Sequence, residues 1–189
     1  MERYCWSHLN KQQVGAYTEY FVKMELTMFG FQVYSTEVDD RGIDFVARHG
    51  SGPFIEVQVK SLRVSGQASG YVFMQKSKFA LSEHLWLALG LLTEGKPPDL
   101  YLIASRTWDT PNAIFVSRDY GEGLKSKPEW GLTVSPRNRA ALEPYRFENS
   151  IKQLLGNPCR LCGNAGGLKM AGAWWGFGWY LPFFAQSCS

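Results

Sequence analysis

The chain has 189 residues, 45% of them apolar, enough for one domain with a closed core and too many for general disorder. A net charge of +3 is too mild a surplus to mark a nucleic-acid binder by itself. The opening Met1-Glu2-Arg3-Tyr4-Cys5-Trp6 lacks an apolar leader segment, so a cytoplasmic setting with reduced thiols is expected.

A helix is predicted over residues 12–29. Val14, Tyr17, Phe21, Met24 and Met28 recur at spacings of three and four, Val22, Leu26 and Phe29 widen the stripe, and Gly30 ends it. Glu19 lies beside that stripe. Three strands follow, at Phe31–Thr36, Ile43–Arg48 and Phe54–Lys60, with connections short enough for antiparallel pairing. Asp39 and Asp40 read as turn formers between the first two, and His49-Gly50-Ser51-Gly52-Pro53 as the turn between the second and third. Ser61–Gly70, rich in Ser and Gly, reads as a loop placed to grip a substrate.

Ser77–Leu92 is predicted to be a second helix, its uniformly apolar Leu85–Leu92 half buried against the sheet. Gly95-Lys96-Pro97-Pro98 breaks it, and the continuous apolar run Leu100–Ala104 reads as a central strand reached by a right-handed crossover. Residues 105–145 supply short strands or loops over the core, and Phe147–Leu155 a closing helix stopped by Gly156. Residues 1–155 are thus expected to form one domain and 156–189 a Gly- and aromatic-rich tail.

From Met170 to Ser189 that tail carries no charge, but its glycines, polar residues and Pro182 speak against a membrane-spanning helix. Packing on the domain, mating with a partner or loose order is expected instead. Cys159-Arg160-Leu161-Cys162 has no second pair, which is weak support for zinc, and His8, His49 and His84 form no ligand spacing.

Chemistry concentrates in the second and third strands. Asp44 sits in one, and Gln58-Val59-Lys60 ends the other. Residues two apart on a strand share a face at roughly 7 Å, so Gln58 and Lys60 are within reach of one ligand, while Glu56 and Lys60, about 13 Å apart, are not. Polar groups within apolar strands need a compensating partner. A cation held by Asp44 and the Gln58 amide oxygen, with Lys60 facing a phosphate, is such a partner, and the Val59 carbonyl offers a further oxygen. Glu56 is then a supporting residue.

The pattern resembles the PD-(D/E)xK nuclease superfamily in its Gln-x-Lys, Mrr-like variant, over roughly residues 11–105. The motifs are Gly15-Ala16-Tyr17-Thr18-Glu19, Gly42-Ile43-Asp44 and Gln58-Val59-Lys60. Two departures stand out: Gln replaces the commoner acid, and Gly42 precedes Asp44 where Pro is common. The resemblance implies an α/β, restriction-endonuclease-like core with a mixed sheet of four or more strands in the order αβββαβ. It also implies an Mg²⁺-dependent nuclease acting on DNA, with Mn²⁺ as a substitute, and catalytic residues Glu19, Asp44, Gln58 and Lys60. Lys60, Arg63, Lys76 and Lys78 fall in a 19-residue window without an acid, so Arg63, Lys76 and Lys78 are expected at the phosphates. A homodimer fits this class. The competing readings are a catalytically silent nucleic-acid-binding or assembly module of the same fold, and a membrane-associated protein that uses its aromatic tail.

Overall fold

The computed structural model describes residues 3–35, 41–66, 68–121, 123 and 125–156. The chain divides after Pro158, and every element below belongs to the first unit, Met1–Pro158. Asp39, Asp40, the paired cysteines 159 and 162, Cys188 and the aromatic tail lie outside the described residues.

Helix α1 (Lys11–Met28) starts at a reciprocal cap, in which the Asn10 side chain accepts from the Gln13 backbone and the Gln13 side chain accepts from the Asn10 N–H. It is followed by β1 (Phe31–Ser35), β2 (Phe45–His49) and β3 (Phe54–Val64), antiparallel in the order β1-β2-β3 as expected. β3 runs to Val64, so the loop expected over Ser61–Gly70 shrinks to residues 65–69.

The larger correction concerns Ser77–Leu92. No helix forms there. β4 (Gly70–Gln75) leads through a turn to β5 (Leu85–Thr93), which lies parallel to β3, with β6 (Asp99–Ala104) antiparallel at the edge. The reason is burial on both faces. One face of β5 presents Leu87, Leu89 and Leu91 to one core, and Ala88 on the other face joins a second core. A strand covered on both sides is apolar at every position, and an eight-residue apolar run then carries no period. Gly90, buried mid-run, is the local hint against a helix, at about 1 kcal/mol relative to Ala.

The expected helical crossover is therefore replaced by a second sheet. β4, β7 (Phe115–Arg118) and β8 (Glu129–Val134) form an antiparallel layer in the order β4-β8-β7, so residues 105–145 supply two of the three strands of a second sheet. The main sheet, β1-β2-β3-β5-β6, is mixed α/β as expected. On one face it packs Ala47, Val57, Ala88 and Leu102 against Val22 and Leu26 of α1 and against Phe147 and Ile151 of α2 (Phe147–Leu154). On the other, Leu87, Leu89, Tyr101 and Ile103 meet Val72, Met74, Phe115 and Leu132 of the second sheet. Among the described residues no helix is long and apolar enough to cross a membrane.

Candidate active site

β2 and β3 pair as far as Phe45 opposite Val57, and one further bond joins the Asp44 N–H to the Val57 carbonyl. There the strands part. Gly42, at φ +76°, turns the chain away from β3, a conformation open mainly to glycine. The Val59 N–H, beyond the last rung of the β2–β3 ladder, donates to Asp44 Oδ2 at 2.5 Å. Asp44 thus closes the fork with its side chain, and β3 continues beside β5 alone.

Alternation along β3 sends Val57 and Val59 to the helix side and Gln58 and Lys60 to the side of the second sheet. There Gly42, Gln58, Lys60, Phe73, Met74, Gln75 and Lys78 line a cleft of about 250 Å³. No carboxylate is among these residues. Gln58 is only 6% exposed, and its Oε1 is buried without a hydrogen-bond partner. An orphaned acceptor in a polar cleft costs about 1–3 kcal/mol unless something fills it, so Gln58 is the residue there whose presence folding alone leaves unexplained.

The predicted site residues separate into three groups. Gln58, Lys60 and Lys78 meet in the cleft, and Asp44 stands two residues from its Gly42 wall. Val59 ties the two together through its N–H. Glu19 lies on α1, which covers the opposite face of the sheet, and its carboxylate pairs with Lys23 Nζ at 2.6 Å. Lys23 also donates to Ser35 Oγ and lies 5.3 Å from the centroid of the Phe45 ring, which anchors this pair near the start of β2.

Arg63 and Lys76 have protein partners of their own. Arg63 donates to the Leu9 carbonyl. Lys76 Nζ bonds Ser117 Oγ at 2.9 Å and both Asp119 oxygens at 2.8 Å, above the Trp130 ring. Its three donors are spoken for, which leaves Lys60 and Lys78 as the cations lining the cleft. Glu56 is half-buried opposite Val46, with its N–H on the His84 carbonyl. Phe73 and Gln75 were not legible as site residues, because only the fold of the second sheet brings β4 to the fork.

Among the described residues no group of three or more His, Cys, Asp or Glu comes together to hold a metal. What the fork offers is one carboxylate, one buried amide oxygen and backbone carbonyls. These are hard oxygen donors of the kind Mg²⁺ accepts, with the remaining positions left to water and substrate oxygens. The orphaned Gln58 Oε1 fits that role.

No protein-family model and no curated protein matches the chain. Among solved structures it is similar to the bacterial homing endonuclease I-Ssp6803I, at 14% identity and a TM-score of 0.48, over 77% of this chain and 91% of that one. It is also similar to Hjc, a Holliday junction resolvase of the archaeal hyperthermophile Archaeoglobus fulgidus, at 12% identity and a TM-score of 0.41, over 72% and 99% of the two chains. These likenesses are low, and the functional reading rests on the residues of the fork.

Proposed function

We propose that this chain is a metal-dependent nuclease that hydrolyses DNA phosphodiester bonds at the fork between β2 and β3. The observation that carries the reading is Gln58, a nearly inaccessible amide with an unpartnered oxygen, in a cleft lined by two lysines and, among the described residues, by no carboxylate. The sequence resemblance supplies the reaction class, and DNA as substrate comes from that resemblance.

Asp44, Gln58 and the Val59 carbonyl would hold Mg²⁺ or Mn²⁺, and Glu19, paired to Lys23, is left outside this set. A bound ion would polarise the scissile phosphate and lower the pKa of its water. The Val59 N–H fixes the Asp44 carboxylate so that it does not have to be ordered when substrate arrives. Lys60 neutralises charge building on the phosphoryl oxygens, and Lys78, across the cleft, meets an adjoining phosphate. No covalent intermediate is invoked.

The test is Mg²⁺-dependent cleavage of plasmid and linear DNA by wild type, Asp44→Asn and Asp44→Ala. Asn retains an acceptor for the Val59 N–H, whereas Ala orphans it at about 1–3 kcal/mol. Both variants should lose cleavage, and Asn should keep wild-type stability. Undiminished Mg²⁺-dependent turnover by folded Asp44→Asn would remove Asp44 from the mechanism. The silent-module reading is favoured by the single carboxylate that the described residues place at the fork, and DNA binding by wild type without any cleavage would select it.

A further inference from the structure

We propose that Arg48 is a second DNA contact, which meets a phosphate roughly 13 Å along the sheet from the fork. The inference takes DNA as the ligand from the nuclease reading and so rests on it, but residues outside the cleft carry it. Register fixes the face. Phe31, Ala47, Ile55 and Val57 pack toward the helices, so the residues that alternate with them, Gln32, Tyr34, Arg48, Phe54 and Glu56, share the fork side with Gln58. The second sheet covers this side over β5, β6 and the far end of β3, where Leu62 and Val64 join its core. A ledge stays open on β1, β2 and the start of β3, and there Tyr34 and Phe54 are 42% and 47% exposed.

Arg48 is built into that ledge. Its guanidinium lies 4.7 Å from the centroid of the Phe54 ring, and Tyr34 meets the same ring edge-on at 5.7 Å. Gln32 Oε1 accepts from Arg48 Nη2 at 3.2 Å and from the Tyr34 hydroxyl at 3.1 Å. These contacts hold the side chain and leave its charge unanswered, because among the described residues Arg48 pairs with no carboxylate. Arg106, Arg118, Arg139 and Arg146, by contrast, each face one. The Arg48 Nε is buried without a partner, and Nη1, equally unbonded, is not enclosed. A guanidinium stacked on a ring keeps its in-plane N–H groups for an anion, and their fork matches the paired oxygens of a phosphate.

Position decides the class of ligand. Arg48 pairs opposite Phe54, and Phe54 stands four residues before Gln58, roughly 13 Å at the rise of a strand. A duplex advances about 3.4 Å per step, so DNA with one phosphate at the fork carries another at the distance of Arg48 about four steps away. A protein partner seated on Tyr34 and Phe54 would have to bury an uncompensated cation or supply an acid for it, whereas a polyanion held at the fork brings that charge with it. Glu56, the acid of the ledge, is half-buried one same-face step from Phe54 and makes no ion pair among the described residues. It opposes a phosphate there, so its removal and that of Arg48 have opposite signs.

The experiment measures binding of the full chain to a labelled DNA duplex by anisotropy, in chelator and across a salt series. The variants are Arg48→Gln, Arg48→Lys, Glu56→Gln and Lys152→Gln, the last an equal loss of charge on α2, which packs on the other face of the main sheet. One lost phosphate contact lowers the slope of log K against log salt by about 0.9. Arg48→Gln should show that drop, with roughly tenfold weaker binding at low salt. Arg48→Lys should keep the wild-type slope, and Lys152→Gln should change neither slope nor affinity. Glu56→Gln should bind more tightly, which keeps the proposal open to refutation should Arg48→Gln fail to fold. A wild-type slope in folded Arg48→Gln, an equal drop in Lys152→Gln, or unchanged or weaker binding by Glu56→Gln would each overturn it. Asp44-dependent cleavage with a wild-type slope in Arg48→Gln would sink this inference alone. An Arg48-dependent slope without cleavage would leave it standing and remove the nuclease reading.

Discussion

Replacing Gly42 by Ala separates backbone strain from damage to the site. At φ +76° an L-residue pays about 1–2 kcal/mol. The new Cβ would also stand 2.9 Å from Gln58 Nε2 and 3.6 Å from Lys78 Cβ. Gln58 is only 6% exposed, and relieving the 2.9 Å contact moves its amide off its rotamer, at a further ~0.5–1.5 kcal/mol. Gly95 is the natural control, because it has φ +74° with nothing within 4 Å of an added Cβ. Gly95→Ala should therefore cost the strain alone, and Gly42→Ala about 1 kcal/mol more. Urea denaturation measures both. In Mg²⁺-dependent cleavage, Gly42→Ala should lose roughly 10- to 100-fold, the usual effect of disturbing a group that orients a ligand, and Gly95→Ala should lose nothing. In a Gln58→Ala background the excess cost of Gly42→Ala should vanish, since the two residues interact directly. Equal destabilisation by the two Gly substitutions, with wild-type cleavage by Gly42→Ala, would refute the placement of Gln58 against Gly42.

Three further outcomes are expected. Gln58→Glu puts an anion at the orphaned position and should tighten Mg²⁺ or Mn²⁺ binding in the absence of DNA. Calorimetry showing unchanged affinity would contradict Gln58 as a ligand. Gly90→Ala drives a Cβ to within 2.5 Å of Thr18 Cγ2 at the α1–β5 contact and should destabilise by about 1–3 kcal/mol. Adding Thr18→Ser removes that methyl while keeping the hydroxyl bond to the Val14 carbonyl, and denaturation should show part of the loss recovered. Tyr71 has its pKa pushed up to about 12 by burial first and then by its bond to Glu129. Because the folded state disfavours tyrosinate, this contribution to stability is intact below pH ~10 and is lost as pH climbs toward 12. Tyrosinate absorbance should show a late-titrating group that moves earlier in Glu129→Gln.

Much of the site was readable from local pattern. The antiparallel β1-β2-β3 unit follows from short connections and period-two alternation, and the same alternation puts Gln58 and Lys60 on one face wherever β3 packs. Helix α1 announced itself by spacing, but the face it buries is Val14, Thr18, Val22 and Leu26, and Met24 and Met28 of the expected stripe are exposed. Leu85–Leu92 could not be read in this way. Its neighbours on both sides are apolar layers, so its sequence records total burial and not the period of its backbone. Once that segment is a strand, the chain between β3 and β5 belongs to a second sheet, and β4 brings Phe73, Gln75 and the following Lys78 to the fork. The residue types of the chemistry, an Asp just before β2 and a Gln and a Lys on β3, were set by the sequence alone. Which cations stay available to a substrate was decided only in three dimensions, where Asp119 and Ser117 claim Lys76. A donor's partner and a ring's exposure depend on segments far apart in the chain, and no local pattern encodes that distance.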